Sequence, residues 1–258
     1  MDAKISRMDM IKIKSYRRIY RICPKKYDNK SWMNRIPKSL SNMIADPPKR
    51  KKCLSEDEVK ALLNGHVTIE EKIDGGVIGI AWDGNIPLVV GKHSMVNYDV
   101  RTKRFYGFTE WIYENYEKIS KIPMGWIIYG EWMRASHKIY YNNLPDYFIG
   151  FDVWNGDSFL NWNDKSMMLH EIGFSEVPTI YSGTDLGIED IVCIAEGIGR
   201  DNNKSKFNFN ETIEGIIIRN DNGLIGKYVR KKFDDSIEEH WLTLPLVENK
   251  LRKMNKGK

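Results

Sequence analysis

The sequence predicts an α+β fold in which β-sheet predominates and a few helices cover the sheets. Two strand-turn-strand patterns surround the turns Asp83-Gly84-Asn85 and Asn220-Asp221-Asn222-Gly223. Two apolar runs, Trp126 to Trp132 and Tyr147 to Trp154, have the composition of buried strands. Helical patterns are confined to a few segments, so we expect helices packed on sheets.

Helices are predicted at three places. The first begins at the capping-box pattern Ser55-Glu56-Asp57-Glu58 and ends at Asn64-Gly65, which delivers the chain into the strand that carries Lys72. Residues 108–119 repeat apolar side chains at helical spacing, and residues 187–199 suggest another helix. Single carboxylates, Glu131 and Asp152, interrupt the two apolar strands, and a buried carboxylate is costly unless it is paired.

Composition indicates a globular chain of 258 residues and 30.2 kDa, with no apolar run near the roughly eighteen residues of a membrane span. The start lacks the apolar core of a secretory signal, so a cytoplasmic location is expected. The three cysteines are widely spaced and predict neither a disulfide framework nor a zinc site, which favours a reduced, intracellular chain without structural metal.

Positive charge is concentrated at the start of the chain. Residues 1–60 contain 17 lysines and arginines against 7 acidic residues, although the net charge of the whole chain is only +5. Tyrosines and a tryptophan are interleaved with these cations, a mixture that suits phosphates and stacked bases. We therefore expect a basic segment at 1–54 that packs on a core domain at 55–258, and a polyanion as partner.

The motif Lys72-Ile73-Asp74-Gly75 places a lysine at the end of a short apolar strand. Side chains alternate along a strand, so Lys72 and Asp74 are expected on one side and Ile73 on the other. An ordinary hairpin with an exposed lysine would have the same pattern. The alternative is that Lys72 acts as a nucleophile, and the rest of the chain decides between the two.

Four further motifs follow at wide intervals, and with the first they stand in a fixed order. The chain thereby resembles the covalent nucleotidyltransferase superfamily of polynucleotide ligases and mRNA capping enzymes over residues 69–232. The resemblance implies an ATP-grasp-like nucleotidyltransferase (adenylation) domain with two antiparallel sheets flanked by helices and a short C-terminal helical tail. The motifs are Lys72-Ile73-Asp74-Gly75, Tyr129-Gly130-Glu131, Phe151-Asp152, Glu214-Gly215 and Lys227-Tyr228-Val229-Arg230.

The resemblance implies roles for the site residues. Lys72 becomes the lysyl-AMP, and Lys227 and a bound Mg²⁺ lower its pKa and neutralise phosphate charge. Glu214 helps to hold Mg²⁺ or Mn²⁺. The nucleotide contacts implied are the adenine for Glu71, the ribose for Asp74 and Glu131, stacking on the base for Phe151, and further nucleotide binding for Asp152, Arg230 and Lys231.

Several alternatives stay open from the residues alone. Phe151 also fits a core strand position, Asp152 fits a buried hydrogen-bond anchor, and Glu131 fits an ion pair with an arginine. In the last motif the usual second lysine is Val229. Strand alternation puts Lys231 on the side of Lys227, while a bulge would bring Arg230 there.

Within the superfamily, the Glu71-Lys72-Ile73 lead-in and the last motif resemble phage-type RNA ligases. DNA ligases commonly carry arginine where this chain has Val77, and only 28 residues follow Arg230, too few for an appended oligonucleotide-binding domain. The resemblance therefore implies a compact, virus-like, ATP-dependent RNA ligase that joins a 5′-phosphate to a 3′-hydroxyl and needs no obligate protein partner. The rivals are a minimal DNA ligase, a GTP-using capping enzyme and an inactive nucleic-acid-binding module.

Overall fold

The computed structural model describes residues 16–23, 53–91, 102–198, 203–235 and 245–253. Within these ranges the chain forms two five-stranded sheets, one two-stranded hairpin and six α-helices. The helices are α1 Glu56–Leu63, α2 Phe108–Glu114, α3 Tyr116–Ile119, α4 Trp162–Ile172, α5 Ile188–Glu196 and α6 Lys231–Asp235. The strands are β1 Tyr20–Arg21, β2 Val67–Lys72, β3 Gly76–Trp82, β4 Pro87–Val90, β5 Ile127–Trp132, β6 Phe148–Trp154, β7 Ser175–Glu176, β8 Thr179–Gly183, β9 Lys204–Ser205, β10 Asn208–Thr212, β11 Gly215–Asn220 and β12 Ile225–Val229.

The first sheet has the strand order β1-β12-β11-β2-β8 and the second has the order β4-β3-β5-β6-β7. This mixed fold of two main sheets flanked by helices confirms the predicted class. One detail differs from the antiparallel prediction, because β1 runs parallel to β12 and β7 runs parallel to β6. Both parallel strands are two-residue edge strands that carry no hairpin signal of their own.

Three apolar clusters hold these layers together. One lies between the first sheet and helices α1 and α5, where Val67 and Ile69 of β2 are fully buried. A second lies between the two sheets and includes Tyr129 and Phe151. The third lies between the second sheet and its helices and includes Trp111 and Phe148. The second cluster, called the middle layer below, therefore lies between the sheets, and residues of several sequence motifs, including Tyr129 and Phe151, belong to it.

Local signals explain why some elements end where they do. The capping box of α1 is formed, since Ser55 Oγ accepts from the Glu58 amide and the Glu58 carboxylate accepts from the Ser55 amide. The single helix predicted for residues 108–119 is instead two helices separated by Asn115. The Asn115 side chain donates to the Trp111 carbonyl, a bond that competes with the helical pattern.

The prediction of reduced cysteines is wrong. Cys23 and Cys53 form a disulfide, and only Cys193 is free. The pairing arises because Arg21 of β1 and Cys53 lie side by side as an isolated bridge, which brings together residues that are 30 positions apart. Sequence spacing does not reveal such a long-range neighbour.

The two ends of the chain are partly described. Strand β1, which is residues 20–21 of the basic N-terminal segment, pairs with β12 of the first sheet. The lysine and arginine clusters at 25–26 and 49–52 lie outside the described residues. At the C-terminal end, α6 follows β12, and residues 245–253 run as an extended segment that bridges to Ala135 and Leu144 in the loop after β5. Among the described residues, no helix has the length and apolarity needed to cross a membrane.

Candidate active site

Lys72 lies at the end of β2 and forms an ion pair with Glu214. The distance from Lys72 Nζ to Glu214 Oε2 is 2.6 Å, and the two side chains are 21% and 10% exposed. The pair forms because β2 and β11 align Lys72 opposite Gly215, the residue after Glu214. Gly215 has to be glycine, since a Cβ atom there would lie 2.1 Å from the Tyr228 carbonyl oxygen. The predicted nucleophile and the predicted metal ligand are thus direct neighbours.

The pKa of Lys72 depends on carboxylates from both sheets, because Glu131 of the second sheet also acts on it. Burial acts to lower the pKa of the Lys72 ammonium, but the charges of Glu214, Glu131 and Asp74 act the other way and raise that pKa above the ordinary lysine value. The lowering of this pKa that the sequence predicts depends on Lys227 together with a bound Mg²⁺, and it stays a prediction. The protein alone therefore keeps Lys72 protonated.

The two glutamates have raised pKa values themselves. Burial raises the pKa of Glu131 to about 8, because the opposing charge of Lys72 compensates only part of the lost hydration. Burial also raises the pKa of Glu214, against the charge of Lys72 and a smaller effect of Lys227. Among the described residues, Glu131 Oε2 is buried without a hydrogen-bond partner. This oxygen is suited to an incoming cation or donor.

Asp74 organises the loop that follows β5. Its Oδ2 accepts hydrogen bonds from the backbone amides of Lys138 and Ile139 at 2.8 and 3.2 Å, and its own amide donates to the Tyr141 hydroxyl at 2.9 Å. His137 Nδ1 lies 3.9 Å from Asp74 Oδ1. The predicted ribose ligand therefore also fixes the loop beside Lys72, and sequence reasoning missed this loop entirely.

The extended segment 245–253 supports that loop from outside. Asn249 is fully buried; its Oδ1 accepts from the Tyr141 amide at 2.8 Å and its Nδ2 donates to the Met133 carbonyl at 2.6 Å. Asn249 thereby ties the end of β5 to the loop at Asp74. Asn249 is among the residues after the last motif that resemble phage-type RNA ligases, but the sequence indicates no contact for it.

Glu71 points away from Lys72, as strand alternation requires. Its Oε2 accepts from the Lys206 amide at 3.0 Å, which anchors the β9–β10 hairpin. Burial raises the pKa of Glu71, and its Oε1 has no hydrogen-bond partner among the described residues. Glu71 thus has a local structural contact in addition to the predicted adenine contact.

Phe151 lies on the middle layer within a group of aromatic rings. Its ring centroid is 5.0 Å from that of Tyr16, which in turn lies 5.1 Å from Tyr129 and 5.9 Å from Phe159. Phe151 is 8% exposed and belongs to the second apolar cluster, which fits the interpretation of a core strand residue. Tyr16 comes from the N-terminal segment, which therefore contributes to this part of the site.

Asp152 is the centre of a buried charge network behind Phe151. Its Oδ2 accepts from Arg219 at 3.2 Å and from Arg17 and Tyr16 at 3.1 Å. Arg219 also donates to Glu70, whose other carboxylate oxygen accepts from Lys165 of α4. This network supports the interpretation of Asp152 as a buried anchor, and its members Arg219 and Lys165 were not expected from the sequence.

The last motif divides between two faces of the first sheet. Lys227 faces the middle layer, where its charge acts on Glu214. Arg230 is 5% exposed and turns towards α5, with Nε 3.2 Å from Glu196 Oε2 and a bond to the Ile213 carbonyl. Lys231 begins α6 and is half-buried. The strand therefore continues its alternation without the bulge that would bring Arg230 beside Lys227.

The donor set fits a divalent cation that is shared with a substrate. In the part of the chain that the structure describes, no group of three or more acidic, histidine or cysteine side chains is arranged to hold a metal ion alone. Glu214 and the unpartnered oxygen of Glu131 bring two carboxylates to one place, and both could hold a cation there. Mg²⁺ commonly takes one or two protein carboxylates and completes its shell with phosphates and water.

Comparison with solved structures identifies similar folds. The Naegleria gruberi RNA ligase with PPi matches with a TM-score of 0.55 and 14% identity, over 70% of this chain and 54% of that chain. A point mutant of the same ligase with ATP and Mn matches with a TM-score of 0.52 and 12% identity, over 71% and 55% of the two chains. This chain therefore spans about half the length of those ligases, and identity this low shows a shared fold alone.

A third structure, a mutant of that ligase with AMP and Mn, has a TM-score of 0.51 and 15% identity over 67% of this chain and 52% of that chain. No curated protein sequence matches the chain. A family model described as RNA ligase matches residues 65–233, which is more than half of the chain and contains all five motifs. The chain belongs to the RNA ligase family.

Proposed function

We propose that this protein is an ATP-dependent RNA ligase that works through a covalent adenylate on Lys72. The ion pair between Lys72 and Glu214 at 2.6 Å carries the proposal, because it places a half-buried amine beside a carboxylate and between two sheets of the ligase fold. The similar structures with ATP and Mn, and with AMP and Mn, agree with a site for an adenine nucleotide and a divalent cation.

In the first step the Lys72 amine attacks the α-phosphorus of ATP. A nitrogen–phosphorus bond forms, and the bond to the bridging oxygen breaks, so that pyrophosphate leaves with the electron pair. The amine has to lose a proton first, and the Glu214 carboxylate at 2.6 Å is positioned to accept it. The later steps transfer AMP to an RNA 5′-phosphate, which frees Lys72, and the RNA 3′-hydroxyl then displaces AMP to seal the strand.

The base and ribose are bound between the sheets. Phe151 offers an aromatic face for adenine, and Asp152 with its network closes the pocket behind it. The charges of Asp74 and Glu131 act on Lys72, so both carboxylates lie near the amine, and they are assigned to the ribose hydroxyls as acceptors. Glu71, on the neighbouring position of β2, is assigned to the adenine amino group, with its unpartnered Oε1 as the acceptor.

The phosphates are bound by cations of the last motif. Lys227 faces Glu214 and the middle layer, so it is the first choice for the α-phosphate. Lys231 follows at the start of α6, while Arg230 is engaged with Glu196. We therefore favour Lys231 over Arg230 as a phosphate ligand, because the contacts of Arg230 with Glu196 and the Ile213 carbonyl hold it on the other face of the sheet.

Glu214 is the proposed ligand of Mg²⁺ or Mn²⁺, and Glu131 adds a second oxygen. A bound divalent cation supplies positive charge that stabilises the transferring phosphate and lowers the pKa of neighbouring groups. Such a cation would offset the negative charges of Glu214, Glu131 and Asp74, which raise the pKa of Lys72 and so favour its protonated form. We further propose RNA with 5′-phosphate and 3′-hydroxyl ends as substrate, and the cytoplasm, where ATP is abundant, as location.

The test is covalent labelling of the full chain with radiolabelled ATP and Mg²⁺ or Mn²⁺, followed by denaturing electrophoresis. We expect the wild type to acquire an acid-labile, base-stable label and Lys72→Ala to acquire none. Lys60→Ala is the matched control, because Lys60 lies on α1 with a 67% exposed side chain and forms only surface ion pairs. It should label as the wild type does.

Two outcomes contradict the proposal. If GTP labels the protein and ATP does not, the capping reaction replaces ligation. If Lys72→Ala still acquires the adenylate, another group is the nucleophile. Joining assays with nicked RNA and nicked DNA of the same sequence then separate an RNA ligase from a minimal DNA ligase, and failure to seal either would favour an inactive binding module.

A further inference from the structure

A β-bulge places Phe151 and Asp152 on the same face of the second sheet. Tyr129 of β5 is paired with Asp152 of β6. The next residue of β5, Gly130, is paired with Gly150, so Phe151 is an extra residue in β6. Regular alternation would send two successive side chains to opposite faces. Here Phe151 belongs to the middle layer, and Asp152 reaches the first sheet across the same layer, so the two residues form one surface.

The bulge is supported from outside its own strand. An extra residue disrupts the regular ladder of hydrogen bonds, so its backbone has to be held in another way. Arg219 of β11 does this, because its Nη2 donates to the Phe151 carbonyl at 3.0 Å and its Nη1 donates to Asp152 Oδ2 at 3.2 Å. These bonds fix the backbone of the bulge from the opposite sheet. They leave the ring of Phe151 to be oriented by other contacts.

Tyr16 contacts both residues of the bulge. Its ring centroid lies 5.0 Å from that of Phe151 with an interplanar angle of 64°, an edge-to-face arrangement that aromatic pairs favour. Its hydroxyl donates to Asp152 Oδ2 at 3.1 Å. The same ring lies 5.1 Å from Tyr129 and 5.9 Å from Phe159. Tyr16 is therefore fixed at both ends of its side chain, and it fixes the orientation of the Phe151 ring in turn.

This tyrosine is held in place by its own segment, residues 16–23. Arg17 donates to Asp152 Oδ2 at 3.1 Å, and its guanidinium carbon lies 4.4 Å from the centroid of the Phe159 ring. At the other end of the segment, β1 pairs with β12, and Cys23 forms the disulfide. The segment is thus attached to the core at both of its ends.

We propose that Tyr16 is a positioning residue for the base of the nucleotide, because it orients the Phe151 ring on which the base stacks. This rests on the proposed function, which assigns Phe151 to the base. The N-terminal segment, which its charge predicts to meet a polyanion, thereby also contributes to nucleotide binding. The effect acts through the base, so ATP should experience it and inorganic pyrophosphate, which has no base, should not.

The first test compares Tyr16→Leu with Tyr16→Phe in the full chain. In Tyr16→Leu, which lacks the ring, the ATP concentration for half the maximal rate of lysyl-AMP formation should rise by about tenfold. The maximal rate should stay within about threefold, since the lost contact acts equally on bound ATP and on the transition state. Tyr16→Phe keeps the ring and loses only the hydroxyl, so both quantities should stay within about threefold of the wild type.

Phe174→Leu is the matched control, because Phe174 is a buried aromatic residue of the third apolar cluster, on the other side of the second sheet. It should lower the free energy of unfolding, as Tyr16→Leu does, but leave the ATP dependence of the rate unchanged. If Phe174→Leu changed the ATP dependence as much as Tyr16→Leu, general loss of stability would explain both and the proposal would be overturned.

Calorimetric binding of ATP and of inorganic pyrophosphate gives a readout that needs no catalysis, and the Lys72→Ala background keeps ATP from being consumed. Adding Tyr16→Leu should weaken ATP binding by about tenfold and leave pyrophosphate binding unchanged. Equal weakening of both ligands, or unchanged ATP binding, would overturn the proposal. Tighter ATP binding would overturn it as well, because Tyr16 would then compete with the base for Phe151.

Failure of this proposal and failure of the proposed function are distinguishable. If Tyr16→Leu weakened ATP binding as expected but the wild type formed no lysyl-AMP, the ligase reaction would fail while the positioning role of Tyr16 would stand. If the wild type formed lysyl-AMP with the same ATP dependence as Tyr16→Leu, the reaction would stand and the positioning role would fail.

Discussion

The two ends of the site differ in how their buried charges are compensated. At the end of the site beside Phe151, called the base end because adenine is proposed to stack there, Asp152 Oδ2 receives hydrogen bonds from Arg219, Arg17 and Tyr16, while its Oδ1 has no partner among the described residues. At the lysine end, burial raises the pKa of Glu131 to about 8, and one of its oxygens has no partner among the described residues. Several cations pair with the carboxylates of the base end, whereas at the lysine end three carboxylates act on the single ammonium of Lys72.

The difference indicates which parts of the proposed reaction the protein would prepare in advance. An uncharged adenine ring would need a pocket of fixed shape, and a network of paired charges can hold that shape without a ligand. In the proposed reaction the lysine end has to change its charge, since Lys72 starts as an ammonium and has to attack as an amine. Incomplete compensation leaves room for a cation and for phosphates. Each prediction below tests one side of this contrast.

The largest effect is expected for Arg219→Met at the base end. This change leaves Glu70 and Asp152 buried with fewer partners, and breaking a buried ion pair by removing one member costs about 3–5 kcal/mol. The free energy of unfolding, measured with urea, should fall by that amount.

Arg134→Met is the control for this variant. Arg134 pairs with Glu248 at 2.8 Å, but the two side chains are 26% and 40% exposed. Its loss should cost about 1 kcal/mol or less, as for other exposed pairs. If both variants lost the same free energy, the base end would not be the rigid, charge-paired region that the contacts indicate.

The second prediction concerns Glu214→Gln at the lysine end. The variant keeps the size of the side chain but loses the charge that pairs with Lys72 and the proposed metal ligand. Lysyl-AMP formation at neutral pH should fall by about a hundredfold, or roughly 2.7 kcal/mol in transition-state stabilisation, while the free energy of unfolding changes little. A stability loss as large as that of Arg219→Met would show that Glu214 is structural, and would break the contrast.

Sequence patterns predicted most of the sheet framework, because its signals are local. The turn at Asp83-Gly84-Asn85 lies between β3 and β4 as expected, and the turn after β11 leads to β12. The fold class was confirmed for the same reason. Helix α4 and the β9–β10 hairpin were not predicted, since their patterns resemble polar loops and their stability comes from tertiary contacts.

The site was predicted in part, and the missed residues share one property. Lys72, Asp74, Glu131 and Glu214 do interact, although their roles as ligands of the nucleotide or metal stay predictions. The missed residues act through contacts with distant parts of the chain, and no local pattern marks such contacts. They are Tyr141, Asn249, Arg219, Lys165 and the disulfide partners Cys23 and Cys53.

The third prediction sharpens the account of Lys72. Its pKa is raised by Glu214, Glu131 and Asp74 against the effect of burial, so the neutral amine becomes scarcer as the pH falls. The rate of lysyl-AMP formation should therefore rise with pH over the range 6 to 9. Raising the concentration of Mn²⁺ from limiting to saturating should move this rising limb to lower pH by about one unit, because a cation beside the carboxylates disfavours the ammonium.

The same limb should also move to lower pH in Glu214→Gln at fixed metal concentration, since the largest opposite charge near Lys72 is removed. In Glu214→Gln the maximal rate of lysyl-AMP formation would fall because metal binding is weaker. The pH at which the rate is half-maximal would also fall, because the pKa of Lys72 is lower. A limb that stays in place under both changes would mean that these carboxylates do not control the proton on Lys72.

The smallest effect is expected for Glu131→Gln, and it is a gain in stability. The folded pKa of about 8 lies above the ordinary value of 4.5, so folding is penalised as soon as the unfolded chain ionises this group, increasingly from pH 4.5 to 8. The amide removes that penalty. The Tm of the variant should exceed that of the wild type by a few degrees at pH 8 and by little at pH 5. Differential scanning calorimetry can measure this difference, since about 1 kcal/mol corresponds to a few degrees in a protein of this size.

The control is Glu117→Gln, which removes the charge of an exposed glutamate on α3. A Tm difference that shrinks between pH 5 and 8 would show that Glu131 is ionised and paired in the free protein, and the charges of the lysine end would then be compensated by the protein as those of the base end are.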